Sequence, residues 1–116
     1  MDSPGSPFFG NVDTDNFGRG WLVGHFVPDG NDIRATEDVE IKWSTHPAGD
    51  KRAAWTTGEQ RTTISLMVSG RFTIHLSTGV FTLEKPGDYL VWGPGIRHWW
   101  EAVQDSVMVT VRWPSR

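Results

Sequence analysis

Hydrophobic and polar residues alternate along most of the second half of the chain, and Gly, Pro or Asp separates the alternating segments. A period of two is typical of a β-strand with one buried face, and short turns join such strands. The pattern predicts strands at 62–70, 71–77, 79–84, 88–93, 97–102 and 106–113. Because no segment has the period of a helix of useful length, we predict an all-β sandwich or small barrel.

The first half of the chain is less regular. Residues 21–27 are mostly apolar and residues 38–43 alternate, so both are predicted strands, whereas residues 45–61 form a long polar segment without alternation. Residues 1–20 are rich in Gly, Pro, Asn and Asp, so we expect a loosely held N-terminal arm before a single domain at 21–116. Three apolar side chains are possible anchors for the arm: Phe8, Phe9 and Phe17.

Composition restricts the class of function. The chain has 116 residues, a net charge of −3 and no Cys, which excludes disulfides and thiolate chemistry. The negative charge argues against a general nucleic-acid binder, and no apolar run is long enough to span a membrane. The first residues also lack the features of a signal peptide, so we expect a cytoplasmic protein with neither nucleic acid nor membrane as a partner. The 7 Trp residues are numerous enough to fill a core or to line a pocket.

The segment GDYLVWGPGIRH, residues 87–98, is the most specific pattern in the chain. It predicts a turn at Gly87, a strand, a second turn at 93–95, and a return that brings His98 onto the opposite sheet. The spacing resembles the second conserved motif of the cupin superfamily, G-x5-P-x-G-x2-H-x3-N, with Gly at the Pro position and Ala102 at the Asn position. The resemblance implies a double-stranded β-helix, the jelly-roll barrel of cupins.

The first cupin motif, G-x5-H-x-H-x3/4-E-x6-G, should then end at Gly70. Counting back with the shorter spacing places Thr57, Glu59 and Thr63 at its three ligand positions. Of the three His and one Glu that usually hold a divalent metal in cupins, only His98 remains. The resemblance therefore implies a cupin that binds a metal weakly or not at all. The motif permits two spacings, which leaves open whether Glu59 or the residue before it faces inward.

These motif positions predict which side chains share the interior. If Thr63 points inward, alternation brings Glu59 to the same face, and an inward His98 implies an inward Trp100 with Trp99 outward. Aromatic walls with a few convergent polar groups are typical of a small-molecule site. The predicted substrate-binding residues are Arg61, Thr63, Ser65, Met67, Trp55, Trp92 and Trp100.

Three functions follow from these residues. The first is a metal-independent isomerase, epimerase, lyase or cyclase in which Glu59 and His98 are catalytic and move protons on a small organic molecule. Cupin branches with replaced metal ligands resemble this, and stand-alone barrels occur in bacterial secondary metabolism. The second is a metal-dependent dioxygenase or isomerase that holds Fe, Mn, Ni or Zn through His98, Glu59 and His46. The third is a small-molecule binding or sensing module without chemistry. Arg61 is either an anion clamp or an ion-pair partner at the surface.

The remaining aromatic and imidazole side chains are expected to have structural roles. His46 lies in the irregular segment and is expected to be exposed to water, and His75 is expected at the surface because it alternates with packed residues. Trp43, Trp99 and Trp113 are expected in the core or in a subunit contact. A small sandwich exposes edge strands, so we expect a homodimer to which the N-terminal arm contributes.

Overall fold

A computed structural model describes residues 6–116, so residues 1–5 of the predicted arm lie outside the described residues. Nearly all of the regular secondary structure in the described chain is β-strand, which confirms the predicted fold class. Its elements are α1 (Val12–Asp15), β1 (Trp21–Val23), β2 (Glu40–His46), β3 (Lys51–Arg52), β4 (Thr62–Ser69), β5 (Phe72–Leu76), β6 (Gly79–Leu83), β7 (Tyr89–Trp92), β8 (His98–Ala102) and β9 (Ser106–Trp113).

The strands form two antiparallel sheets. One sheet has the order β1-β2-β9-β4-β7 and the other has the order β3-β8-β5-β6. Strands β7, β8 and β9 follow one another in the chain but alternate between the sheets, so the sheets are linked by repeated crossovers. Two antiparallel sheets connected in this way form a jelly roll.

The core lies between the inner faces of the two sheets. In β4 the side chains of Thr63, Ser65 and Met67 are buried while their neighbours are more exposed, which confirms the predicted alternation. Both sheets contribute side chains to a single buried cluster. Its members are Met67, Phe72, Ile74, Leu76, Leu83, Trp92, Ala102 and Met108.

β3 lies in the segment that was predicted to be irregular, and two of the predicted strands differ from the observed ones by more than one residue at an end. β1 ends at Val23 instead of residue 27, because Gly24 has a φ of 154° and turns the chain out of the strand. β2 continues to His46 instead of ending at residue 43, because it pairs residue by residue with β9 up to the pair of His46 and Ser106. The second difference matters for function, since it moves His46 from a loop into a sheet.

The described part of the arm packs on its own chain. α1 begins after Asn11, whose side chain accepts a hydrogen bond from the backbone N–H of Asp13. The guanidinium carbon of Arg34 lies 3.7 Å from the ring centroid of Phe8 and 4.6 Å from that of Phe17. These two rings therefore anchor the arm by cation–π contacts. Phe9 is 99% exposed, so the expectation that it is an anchor is wrong.

Helix length also bears on membrane insertion. Across residues 6–116, none of the helical structure is long or apolar enough to cross a bilayer.

Candidate functional site

A cavity opens between the two sheets. Its inner part has a volume of about 80 Å³, and it widens into a mouth of about 980 Å³. The two parts are continuous because they share six lining side chains, which are Lys42, Ser44, His46, His98, Trp100 and Arg112. The site is therefore a deep cleft with a narrow inner end.

The five-stranded sheet supplies most of the polar lining. In its register Lys42 of β2 lies opposite Thr110 of β9, and Arg112 of β9 lies opposite Thr63 of β4. Side chains alternate between faces along each strand, so these four residues project from the same face into the cavity. The inner face of this sheet is therefore polar and cationic at these four positions. The residues before and after each of them in the strand point to the outer face.

The four-stranded sheet supplies the aromatic and apolar wall. Trp100 of β8 stacks on Phe72 of β5, with ring centroids 5.2 Å apart. His46 of the opposite sheet packs against these rings, and its ring centroid lies 4.5 Å from that of Trp100. Ile74 and Met108 complete the apolar inner end. A flat or aliphatic ligand would be held here by contact area.

His98, at the start of β8, faces the cavity with a neutral ring. Burial and the nearby positive charges of Arg112 and Arg52 lower the pKa of His98 to about 4. The Thr56 hydroxyl accepts a hydrogen bond from the His98 backbone N–H at 3.0 Å, and it lies 3.1 Å from Nδ1. We assign the proton of the neutral ring to Nε2, the tautomer in which Nδ1 accepts a hydrogen bond from the Thr56 hydroxyl.

Glu59 lies at the mouth and is ionised. Burial acts to raise the pKa of Glu59, but the hydrogen bond from Arg61 and the charges of Arg61 and Arg112 outweigh burial and lower it. Arg61 Nε donates to Glu59 Oε2 at 2.5 Å, and Arg112 Nη1 lies 3.7 Å from the same oxygen. Among the described residues no hydrogen bond joins Glu59 to His98, although both side chains line the mouth.

A buried carboxylate, Glu40, organises the arginines below the mouth. Glu40 is 3% exposed and accepts hydrogen bonds from Arg61 Nη1 at 2.9 Å and from the Ser115 hydroxyl at 3.1 Å. Arg61 also donates to the Ser115 carbonyl at 2.7 Å. Arg61 therefore forms ion pairs with protein carboxylates, which is one of the two alternatives inferred from the sequence, and it does not line the main cavity. Its role as a substrate clamp stays a prediction.

The other predicted substrate-binding residues divide into two groups. Thr63, Ser65, Trp92 and Trp100 line the inner cavity, as their strand alternation predicts. Two residues do not, and the expectation that they contact substrate is corrected. Met67 is 0% exposed and belongs to the core, whereas Trp55 is 45% exposed and packs near Arg97 at the surface.

Sequence reasoning missed Lys42 and Arg112, and it misplaced His46. Lys42 alternates with Ile41 and Trp43, a pattern that is typical of an amphipathic strand with its charged side facing solvent. In the structure the charged side of β2 faces the cavity. His46, expected to be exposed, has a side chain only 10% exposed. The sequence signal that could have found Lys42 and His46 is the recurrence of a polar residue at every second position from Glu40 to His46, which places these residues on one face of the strand.

Trp99 and His75 lie outside the cavity. Their rings stack with centroids 3.7 Å apart and an interplanar angle of 4°, and His75 Nε2 lies 2.8 Å from the Glu101 carboxylate. Both side chains project from the outer face of the four-stranded sheet, as alternation predicts. Trp99 is thus half covered by a neighbour in its own chain.

The donor set does not fit the metal that the cupin resemblance implies. Within residues 6–116, no group of three or more His, Cys, Asp or Glu side chains is placed to hold a metal ion. His46, the candidate third ligand, has Nδ1 2.8 Å from Asp50 Oδ2 and Nε2 3.0 Å from Ser44 Oγ. Lys42 and Arg112 add positive charge to the same cavity. The groups that can carry out chemistry in this cavity are therefore side chains of the protein itself.

Two facing antiparallel sheets around a polar cavity define the class as a jelly-roll protein with an internal ligand-binding site. No protein-family model and no curated protein matches this chain. Solved structures do match it, and they identify the fold as that of the cupin superfamily, which confirms the resemblance inferred from the motif.

Three of these structures illustrate the similarity. KdgF from Halomonas sp. is 25% identical, with 73% of this chain and 79% of that chain covered and a TM-score of 0.62. A cupin superfamily protein from Desulfitobacterium hafniense is 17% identical, with 67% and 69% covered and a TM-score of 0.61. A predicted oxalate decarboxylase from Thermotoga maritima is 17% identical, with 66% and 80% covered and a TM-score of 0.55.

Proposed function

We propose that this protein is a metal-independent cupin enzyme that moves a proton on a small organic molecule held in the cavity. Isomerase, epimerase, lyase and cyclase reactions all include such a step. The observation that carries the proposal is the pairing, in one cleft, of a neutral His98 with the ionised Glu59, where metal-binding cupins have ligands. A cytoplasmic location and a place in secondary metabolism remain expectations.

The two groups have different roles in this proposal. Glu59 is negatively charged and accepts a proton from a substrate carbon or hydroxyl at the mouth. His98 donates a hydrogen bond from Nε2 to the substrate oxygen on which negative charge develops. Nε2 has no hydrogen-bond partner within residues 6–116, so it is available to a ligand. Trp92 and Trp100 limit the access of water to the inner end.

Proton exchange in D₂O tests this proposal without knowledge of the natural substrate. Small carbonyl compounds, hydroxy acids and unsaturated acids are incubated with protein dialysed against EDTA, and loss of C–H signals is followed by NMR. We expect exchange or turnover that persists after EDTA. We expect His98→Ala and Glu59→Gln to slow it by about 10²- to 10⁴-fold.

Matched variants outside the cavity control for indirect effects. His75→Ala and Glu84→Gln remove the same side-chain types from the outer sheet face and from an exposed ion pair, and they should leave the rate unchanged. Exchange that disappears with EDTA and returns with Fe, Mn, Ni or Zn would support the metal-dependent alternative instead. Equal rates in wild type and His98→Ala would overturn the proposal.

A non-catalytic binding or sensing cupin is the second candidate. One observation favours it, because Glu59 is already bound to Arg61 and, among the described residues, makes no hydrogen bond with His98. In that case ligands should quench the fluorescence of Trp92 and Trp100, while no compound shows exchange or turnover. Binding with no exchange by any protein variant would thus decide for the binding module.

A further inference from the structure

The cavity carries a positive charge that the whole chain does not. The chain has a net charge of −3, yet the described residues that line the mouth include five cationic and three acidic side chains. The cationic ones are Arg19, Lys42, Lys51, Arg52 and Arg112, and the acidic ones are Asp13, Asp50 and Glu59. Clefts lined by one sign of charge concentrate ligands of the opposite sign.

Lys42 is a cation that lines the cavity and has no carboxylate partner among the described residues. Its side chain lines both the inner cavity and the mouth. Within residues 6–116, no carboxylate forms a salt bridge with its ammonium group. Burial and the charges of Arg112 and Arg19 lower the pKa of Lys42, so the charged form is held there against repulsion. An anion beside the ammonium would relieve that repulsion.

Arg112 is only partly satisfied by the protein. Its Nε atom is buried and makes no hydrogen bond with any described residue. Glu40 Oε1 lies 3.2 Å from Nε but is not aligned to accept a hydrogen bond, and Glu59 Oε2 lies 3.7 Å from Nη1. A guanidinium has five N–H donors, so Arg112 retains donors for a ligand.

Trp21 brings the two cations together. The Lys42 ammonium lies 5.3 Å from the Trp21 ring and the Arg112 guanidinium carbon lies 4.8 Å from it. The register places Lys42 and Arg112 on adjacent strands at diagonal positions, because Glu40 is opposite Arg112 and Lys42 is opposite Thr110. One indole therefore holds both side chains at the edge of the cavity by cation–π contacts.

The rest of the cavity restricts the ligand further. Beyond the two cations lie the hydroxyls of Ser44 and Thr110, and then the rings of Phe72 and Trp100 with Met108. A purely polar anion would leave the aromatic inner end without contacts. An apolar molecule would leave the half-buried Lys42 ammonium without an anionic partner and would leave the remaining Arg112 donors unused. The lining therefore fits a molecule with one anionic end and an apolar body.

We infer that Lys42 and Arg112 form a carboxylate-binding site at the edge of the cavity, and that the ligand is a small organic acid whose apolar body packs on Trp100. This inference rests on the proposed function, since it names the substrate class of the same site. It assigns Lys42, Arg112 and Trp21 to ligand recognition, while proton transfer remains with His98 and Glu59.

Paired acids and amides test the charge requirement directly. Phenylacetate, cinnamate and hexanoate are each titrated against their neutral amides, in buffer free of carboxylates, with tryptophan fluorescence as the readout and calorimetry as the check. We expect the acids to bind at least about tenfold more tightly than the amides and to weaken as NaCl rises. Inorganic phosphate is the competitor that distinguishes a general anion site from a carboxylate site, and it should compete poorly.

Three variants test which side chains supply the positive charge that binds the acid. Lys42→Met should weaken acid binding by about 10- to 100-fold and leave amide binding unchanged, because only the charged contact is lost. Lys85→Met removes the same charge from an exposed turn and should change neither. Arg112→Lys keeps the positive charge but loses the planar guanidinium, so it should also weaken acid binding. This variant is used instead of Arg112→Gln because it keeps a positive charge beside Glu40 and is therefore more tolerant for folding.

The outcomes separate this inference from the proposed function. Amides that bind as tightly as acids, acids that bind Lys42→Met as tightly as wild type, or the failure of every acid to bind at millimolar concentration would overturn the carboxylate site. Acid binding that depends on Lys42, without proton exchange in D₂O, would support the carboxylate site and contradict the proposed enzymatic function. Glu59→Gln adds a signature, since removing the competing carboxylate should tighten acid binding several-fold.

Discussion

Glu40 is a buried carboxylate at the start of β2, and its contacts explain why Arg61 and Arg112 can lie close together. Arg61 and Ser115 donate hydrogen bonds to it, and Arg112 Nε lies 3.2 Å from Oε1. Because Glu40 is 3% exposed, water cannot replace these contacts. The carboxylate thus offsets charge that would otherwise repel within the sheet.

The first residue-scale prediction concerns this carboxylate. Glu40→Gln leaves Arg61 and Arg112 without the charge between them, and we expect a loss of unfolding free energy of about 3 kcal/mol or more. Chemical denaturation monitored by circular dichroism measures it. Glu37→Gln is the matched control, because Glu37 pairs with Arg116 in an exposed ion pair and should change stability by less than about 1 kcal/mol. Equal effects from the two variants would contradict the assignment.

The second residue-scale prediction concerns pH. The pKa of His98 is about 4 in the folded chain against 6.5 as its ordinary value. The unfolded chain therefore binds more protons between these two values, so His98 makes folding more stable as pH rises. Its contribution is fully present above about pH 6.5 and is lost as pH falls towards 4. We expect the melting temperature to fall over this range, and to fall less in His98→Gln. An identical slope in both proteins would show that His98 is not buried as a neutral ring.

At the scale of elements, the turn between β4 and β5 depends on a glycine for two reasons. Gly70 has a φ of 105°, a conformation that L-residues rarely adopt. A Cβ atom there would also lie 2.3 Å from the Asp105 carbonyl and 2.7 Å from the Ser106 Cα. The backbone that leads into β9 thus crosses directly against this turn.

The prediction for this turn uses a second glycine as its reference. Gly87 has a φ of 93°, but a Cβ atom there meets no atom within 4 Å. Gly87→Ala should therefore cost only the backbone strain, about 1 kcal/mol, whereas Gly70→Ala should cost clearly more because the chains must separate. Melting temperatures of the two variants measure the difference. A smaller loss for Gly70→Ala would mean that residues 105–106 yield easily.

At the scale of the whole molecule, the five-stranded sheet has an apolar outer surface. Its register aligns Ile41, Val111, Ile64 and Val91 in one row across four strands, and Trp43, Val109, Leu66 and Tyr89 in the next. We call these eight residues the outer apolar face. Tyr89 is 64% exposed and Val91 is 45% exposed. Contiguous apolar surface of this kind marks a site of association.

We expect the homodimer predicted from the sequence to form through the outer apolar face. Val109 lies at its centre, between Trp43 and Leu66, so Val109→Glu should convert the dimer to a monomer by placing a charge in the contact. Val80→Glu, at a 63% exposed position of the other sheet, is the control and should not change the mass. Light scattering after size exclusion at micromolar concentration reports both. A wild-type protein that elutes as a monomer would refute the dimer.

The local pattern alone determined the strand-rich class, most strand positions and the two motif turns. Alternation and glycine punctuation act over a few residues, so they can be read without knowing what each strand pairs with. The motif spacing also found His98, because the turn at 93–95 and the strand after it fix where that side chain emerges. Thr63, Ser65 and Trp100 followed from the motif positions together with alternation.

Only the tertiary structure decided which face of β2 and β9 lines the cavity. Alternation defines two faces but does not say which one is inside, and β2 together with Thr110 and Arg112 of β9 places polar side chains inward and apolar ones outward. Lys42 and Arg112 are far apart in the chain and meet because β2 pairs with β9. That pairing depends on long-range contacts, which no local pattern encodes. The recognition of an acid by this cavity is therefore a property of the assembled sheets.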